Sequence, residues 1–263
     1  MTWKDSIWRY VKMDLYRLFS SWELYISCVL MALLYLLAGK QVGIAGNVYN
    51  YFYYNSVYST YTMSFAICAI PFAACFIEDS ESGAWNPQIL RGKTAYYCWS
   101  KVLICFISGV AVYVLGIMMF IMVARTQMPF INEYTSLEME RIYSRFGMFV
   151  GDKMIILFFI FASFLQGLLG GIYALVSALI SLYEPYRMLT IVAPFVLFYF
   201  LQEFEMTLLH LPPYLCVYSI YGFWVKIFDS SGLEALYVLG ITVALILLLG
   251  LLIRRKVERR VHA

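Results

Sequence analysis

The chain alternates long apolar runs with shorter polar segments, and the run lengths point to helices that cross a bilayer. A helix needs about 20 predominantly apolar residues to span the hydrocarbon core. Six stretches approach that length, roughly 22–39, 57–77, 102–124, 154–182, 187–203 and 234–253. The first and fifth are short, the fourth is long enough to tilt, and Pro71 and Pro194 predict kinks in the second and fifth. Ahead of the first run, Trp3, Ile7, Val11, Leu15 and Leu18 recur at helical spacing, with Lys4, Lys12 and Arg17 among the polar positions. That pattern predicts an amphipathic helix over 1–20 lying at a membrane surface rather than a cleaved leader. Residues 204–233 are apolar in pieces and broken by Pro212-Pro213, which predicts an outer re-entrant hairpin. The polar loops are too short for a second domain. Residues 1–263 therefore read as a single all-α, polytopic transmembrane domain with six transmembrane helices.

Composition agrees with the run lengths. Hydrophobic residues make up 63% of the chain and charged residues 13%, against about 45–50% and about 25% in a soluble domain. The basic residues are scattered or sit at run ends, which leaves no surface suited to nucleic acid. With the N-terminus inside, the inner segments hold the excess of Lys and Arg, including Arg254, Arg255, Lys256, Arg259 and Arg260. The positive-inside rule then places both termini and residues 78–101 in the cytoplasm. The outer segment 48–61, VYNYFYYNSVYSTY, reads as an aromatic belt at headgroup level or as a lining for an amphipathic substrate. A short surface helix is expected around Leu137–Phe149. Cys28, Cys68, Cys75, Cys98, Cys105 and Cys216 form no CxxC pair, so they read as packing residues rather than a disulfide framework.

The polar segment with the most to say is 78–101, EDSESGAWNPQILRGKTAYYCWSK. It opens with Glu78, Asp79 and Glu81, turns through Gly83, and continues as an amphipathic stretch carrying Trp85, Ile89 and Leu90. Arg91-Gly92-Lys93 follows and Lys101 closes it. A segment of this shape suits a short helix pressed into a groove on a cytoplasmic partner. Glu78 and Glu81 either pair with basic residues, of the N-terminal helix or of that partner, or cap the helix start near Ser80 and Ser82.

Other chemistry is poorly supplied. Arg91-Gly92-Lys93-Thr94 ends like a phosphate-binding loop, but the first glycine of that pattern falls on Pro87 and an apolar helix, not a strand, precedes it. ATP binding is therefore expected on another chain. His210 and His262 are the two histidines, and a solvated pair of His210 with Glu203 or Glu205 is a better reading than a metal site. No carboxylate lies near the middle of the third, fourth or sixth run, which argues against ion-coupled transport and intramembrane proteolysis. Gln166 reads as an interhelical hydrogen bond, and Gly167, Gly170 and Gly171 suit close helix approach.

Taken together, the six runs, the amphipathic N-terminal helix, the broken outer hairpin and the 78–101 segment resemble the membrane subunit of a type-2 ABC exporter. The residues that carry the resemblance are Glu78, Glu81, Gly83, Leu90, Gly92, Tyr97 and Lys101. Lys93-Thr94 departs from the Ser-Arg pair frequent in that family. The resemblance implies two permeases, as a homodimer or with a sister subunit, working with two ATPase subunits that hold ATP and Mg. Residues 82–94 would be the coupling helix, with Glu78, Glu81, Gly83, Trp85, Ile89, Leu90, Arg91 and Lys101 as the contact region. Substrate, a hydrophobic or amphipathic peptide, drug or lipid, would pass between the permeases, and the size leans towards antimicrobial-peptide export or immunity in Gram-positive bacteria. The chain itself is then a transport subunit and not an enzyme. The rival reading is a membrane scaffold or sensor that recruits a cytoplasmic partner and moves nothing.

Overall fold

A computed structural model describes residues 3–42, 46–57, 59–83, 94–131, 145–149, 154–205, 209–228 and 230–261. Helix α1 (Trp3–Ser20) is followed by α2 (Trp22–Val42), α3 (Val48–Val57), α4 (Ser59–Ala69), α5 (Cys75–Glu81) and the long α6 (Thr94–Arg125). A 3-10 turn (Gly147–Phe149) precedes α7 (Ile155–Ser181), α8 (Arg187–Glu203), the single-turn α9 (Val217–Ile220) and α10 (Ser231–Val261). No strand occurs among the described residues.

Helices α6 and α7 and residues 232–260 of α10 are long and apolar enough to cross a membrane. Residues 7–20 and 22–38, in α1 and α2, meet at 57° and add a fourth crossing if they form one broken span. The other expected spans are shorter as helices: α8 has 17 residues and α4 has 11, against the roughly 20 of a straight crossing. The run at 57–77 is the clearest departure from expectation. Pro71 has no N–H to continue α4, and the chain turns through residues 70–74 before α5 begins. Bonds from Ala73 N to Ala69 O and from Cys75 N to Phe72 O close that turn.

The core forms around the α6–α7 seam, where backbones touch. A Cβ on Gly109 would lie 2.8 Å from Gly171 Cα, and one on Gly171 would lie 2.7 Å from Phe106 O. The obstacle in both cases is backbone, which cannot swing aside. Gly171→Val is therefore expected to cost at least about 1–3 kcal/mol, read as a lowered thermal midpoint in detergent; an unchanged midpoint would remove the seam from the account. Gln166 lies on the same stretch of α7 and accepts from Tyr113 Oη at 2.9 Å, with Tyr35 Oη 2.7 Å further on. It is the interhelical hydrogen bond that its position predicts.

The tyrosine-rich stretch packs inward, in neither of the two expected ways. Tyr49 meets Phe158, Tyr51 meets Phe120, and Phe52 stacks on Phe223 with ring centres 5.1 Å apart. Among the described residues of the segment after α8, the one α-helix is α9, of four residues; beyond it Phe223 is buried against Phe52 of α3, and Tyr221 is buried with its hydroxyl 2.9 Å from Thr242 Oγ1 of α10. Of the helix expected at 137–149, the described part is the turn Gly147–Phe149, and residues 137–144 lie outside the described residues. All six cysteines are buried and free.

α1, α5, the start of α6, the end of α7, the start of α8 and the end of α10 meet at one end, as shown by the pairs Arg17–Asp79 and Arg187–Glu78 and by Lys256 over the Tyr183 ring at 4.0 Å. The apolar stripe of α1 turns inward there: Val11 and Leu18 are buried, while Trp8, Tyr16 and Phe19 are exposed alongside Arg9 and Lys12.

Candidate functional site

The end where α1, α5 and α6 converge holds a buried charge cluster. Lys101 Nζ lies 2.9 Å from Asp14 Oδ1 and 3.0 Å from Asp79 Oδ2. All three are inside the protein, at 0%, 1% and 1% exposure. Each carboxylate has a second donor from α6: Ser100 Oγ gives to Asp14 at 2.6 Å and Tyr97 Oη gives to Asp79 at 2.7 Å. Arg17 then bridges Asp79 and Glu78, both at 2.5 Å, and Arg187 of α8 pairs with Glu78 and lies 3.8 Å from Glu23 of α2. Four carboxylates meet three cations, so the cluster carries one unbalanced negative charge.

Helical spacing explains how the groups converge. Asp14 and Leu18 are four apart on the buried face of α1, and Arg17 reaches from the edge of that face. Tyr97 and Lys101 are likewise four apart on α6, with Ser100 beside them. Glu78 and Asp79 are neighbours on α5, so one points to Arg187 at the rim and the other to Lys101 inside. Burial works against the Asp79 carboxylate. Lys101 and the hydrogen bonds from Arg17 and Tyr97 outweigh it and hold its pKa below the ordinary carboxylate value.

The sequence-predicted contact residues separate into three groups. Glu78 and Lys101 belong to the cluster, and Glu78 makes the expected pair with the N-terminal helix. Gly83 closes α5: its φ is +67°, and its N–H bonds to Ser80 O at 3.3 Å. That left-handed backbone favours glycine, and a Cβ there would meet nothing, so conformation alone sets the residue. Glu81 is exposed and makes no ion pair among the described residues. Trp85, Ile89, Leu90 and Arg91 lie outside the described residues, as does the whole stretch 84–93.

Sequence reasoning missed Asp14, Arg17, Asp79, Ser100 and Arg187 as members of one site. Asp14 was detectable: it falls in the middle of the stripe formed by Ile7, Val11, Leu15 and Leu18, and an acid on a buried face requires a cation. At the other end, Glu205 is not paired with His210. It accepts Val217 N at 3.0 Å and the Cys216 thiol at 3.3 Å.

Comparison with protein-family models, with curated proteins and with solved structures gives no match for this chain.

Proposed function

We propose that this chain is the membrane-spanning subunit of an ATP-driven exporter of the type-2 ABC kind, powered by a separate ATPase subunit that holds ATP and Mg. One observation carries the reading. The cluster of Asp14, Arg17, Glu78, Asp79 and Lys101 ties α5, which leads into residues 84–93, and α6, which leads out of them, to α1. A segment anchored rigidly at both flanks transmits force, whereas a loose loop absorbs it.

In this reading α2, the run 57–77, α6, α7, α8 and α10 supply six crossings, with α1 at the cytoplasmic surface and both termini inside. The exposed cations Arg9, Lys12, Arg255, Arg259 and Arg260 support that orientation. A second permease, identical or a sister subunit, completes the pathway for a hydrophobic or amphipathic substrate such as a peptide, drug or lipid.

The test is co-purification of the tagged chain from its native membrane followed by an ATPase assay. A stoichiometric ATP-binding partner is expected, and Gly83→Pro or Arg91→Glu is expected to abolish stimulated hydrolysis while the chain still inserts. Full activity in both variants would refute the coupling role. A stable partner that hydrolyses no ATP would favour the scaffold reading instead.

A further inference from the structure

The outward side of α1 has no part in the charge cluster. The apolar stripe that its sequence offers to a membrane is spent inside the protein: Val11 and Leu18 are buried, and Asp14 on the same side is paired with Lys101. What faces outward is a second stripe. Trp8, Lys12, Tyr16 and Phe19 follow one another at four, four and three residues, with Arg9 beside Lys12. Trp8, Tyr16 and Phe19 are each more than half exposed.

Charge on this side is of one sign. Residues 7–20 carry Arg9, Lys12, Asp14 and Arg17. Asp14 and Arg17 are taken up by the cluster, whereas Arg9 and Lys12 are exposed and make no ion pair among the described residues. The stripe also runs on into the apolar outside of α2. Ser21 alone separates the two helices, whose axes meet at 57°, and beyond the bend Trp22, Tyr25, Ile26, Val29 and Leu33 are exposed. With α2 along the membrane normal, α1 lies nearer to the membrane plane than to the normal. Between Ser20 and Arg9 it then recedes from the bilayer by about 9 Å, close to the Debye length of about 8 Å, so both cations feel the charge of the surface.

We infer that this side of α1 docks on the headgroups of anionic phospholipids, with Arg9 and Lys12 on the phosphates and Trp8, Tyr16 and Phe19 at the boundary between headgroup and acyl chain. The mixture of side chains selects the occupant. Two free cations alone would suit any acidic surface. Their interleaving with aromatic rings, which favour the membrane–water boundary, and their continuity with the apolar outside of α2 suit a bilayer. Two cations without a carboxylate among them then favour an anionic headgroup over a zwitterionic one. The inference rests on the reading of α2 as a crossing and is independent of ATPase coupling.

The experiment places the photoreactive residue p-benzoylphenylalanine at Tyr16, or at Leu33 of α2 as the reference, in the full chain. The chain is reconstituted into nanodiscs of equal parts phosphatidylcholine and phosphatidylglycerol, and lipid adducts are identified by mass. A basic residue near an anionic surface favours it about fivefold, so phosphatidylglycerol adducts at Tyr16 are expected to exceed phosphatidylcholine adducts at least about fivefold, against a ratio of about one at Leu33. Arg9→Gln with Lys12→Gln is expected to bring the Tyr16 ratio to about one, and Arg9→Lys with Lys12→Arg to preserve the preference. Equal adducts of the two lipids at Tyr16 in the native background would overturn the inference. So would lipid adducts at Leu33 with none at Tyr16, or a protein adduct at Tyr16 in the native membrane in place of lipid, which would give this side of α1 to a partner. Absence of lipid adducts at Leu33 as well would overturn the crossing by α2, and the inference with it.

Discussion

Lys101→Met is expected to be the most damaging single change near residues 84–93. It leaves Asp14 and Asp79 buried without their shared cation, and removing one partner of a buried ion pair costs about 3–5 kcal/mol. Both carboxylates now contact the same Nζ, so they are no more than about 6 Å apart. Without Lys101 they repel, and one must take up a proton to remain inside. The pH dependence should therefore change sign. In the native chain the Asp79 pKa is lowered, so its contribution is complete above the unfolded value of about 3.9 and fades as pH falls through the folded one. In the variant the folded state binds the extra proton, so the thermal midpoint should fall as pH rises towards neutrality. Removing all three charges with Asp14→Asn, Asp79→Asn and Lys101→Met should recover most of the lost stability. Coupling would remain lost if the cluster transmits force. A thermal midpoint series against pH decides the first point, and a flat or native-like profile in Lys101→Met would contradict it.

Arg145→Met should have an effect of similar size at the other end. Without Arg145 Nε at 2.9 Å, the Glu234 side chain would keep, among the described residues, the Ile227 N–H at 2.8 Å. The carbonyl of Ile220 would lose its Arg145 donor, and the Arg145 side chain would no longer tie residues 219–220 to the start of α10. A loss of about 3–5 kcal/mol is expected, with proteolytic cleavage appearing first between α9 and α10. A double-mutant cycle with Glu234→Leu should return a coupling energy of about 1–3 kcal/mol. The cost should add to that of Lys101→Met, because the two clusters share no residue. Strict additivity within the Arg145–Glu234 cycle would mean that the pair is not an energetic unit.

Local periodicity made much of the architecture legible. α7 and α8 begin and end within a residue of the apolar runs that predicted them, and the glycines of α7 lie where helices touch. The break at 70–74 was visible as Pro71, but not its extent, because a proline marks a missing donor and not how the chain recloses. The charge cluster was half legible. Glu78 and Lys101 stood out in a polar segment, whereas Asp14 and Arg17 sit in a different helix, more than sixty residues away. No periodic pattern links such groups; only an acid on an apolar stripe betrays them. The Tyr49 and Tyr51 stretch misled because aromatic crowding has the same composition whether it faces headgroups or fills a core.

α10 is 31 residues long, which is about 46 Å of helix against a hydrocarbon core of about 30 Å. Its surplus lies where Arg254, Arg255, Lys256, Arg259 and Arg260 follow the apolar run. Gly250, just before them, abuts the Trp99 ring two residues from Lys101. In the orientation proposed above, these cations would act as a depth gauge. In the proposed orientation they sit among lipid phosphates and set the height at which the bundle floats, with the Lys101 cluster held about one helical turn inside that plane. A thinner or thicker bilayer would then be accommodated at the opposite face, near Glu234.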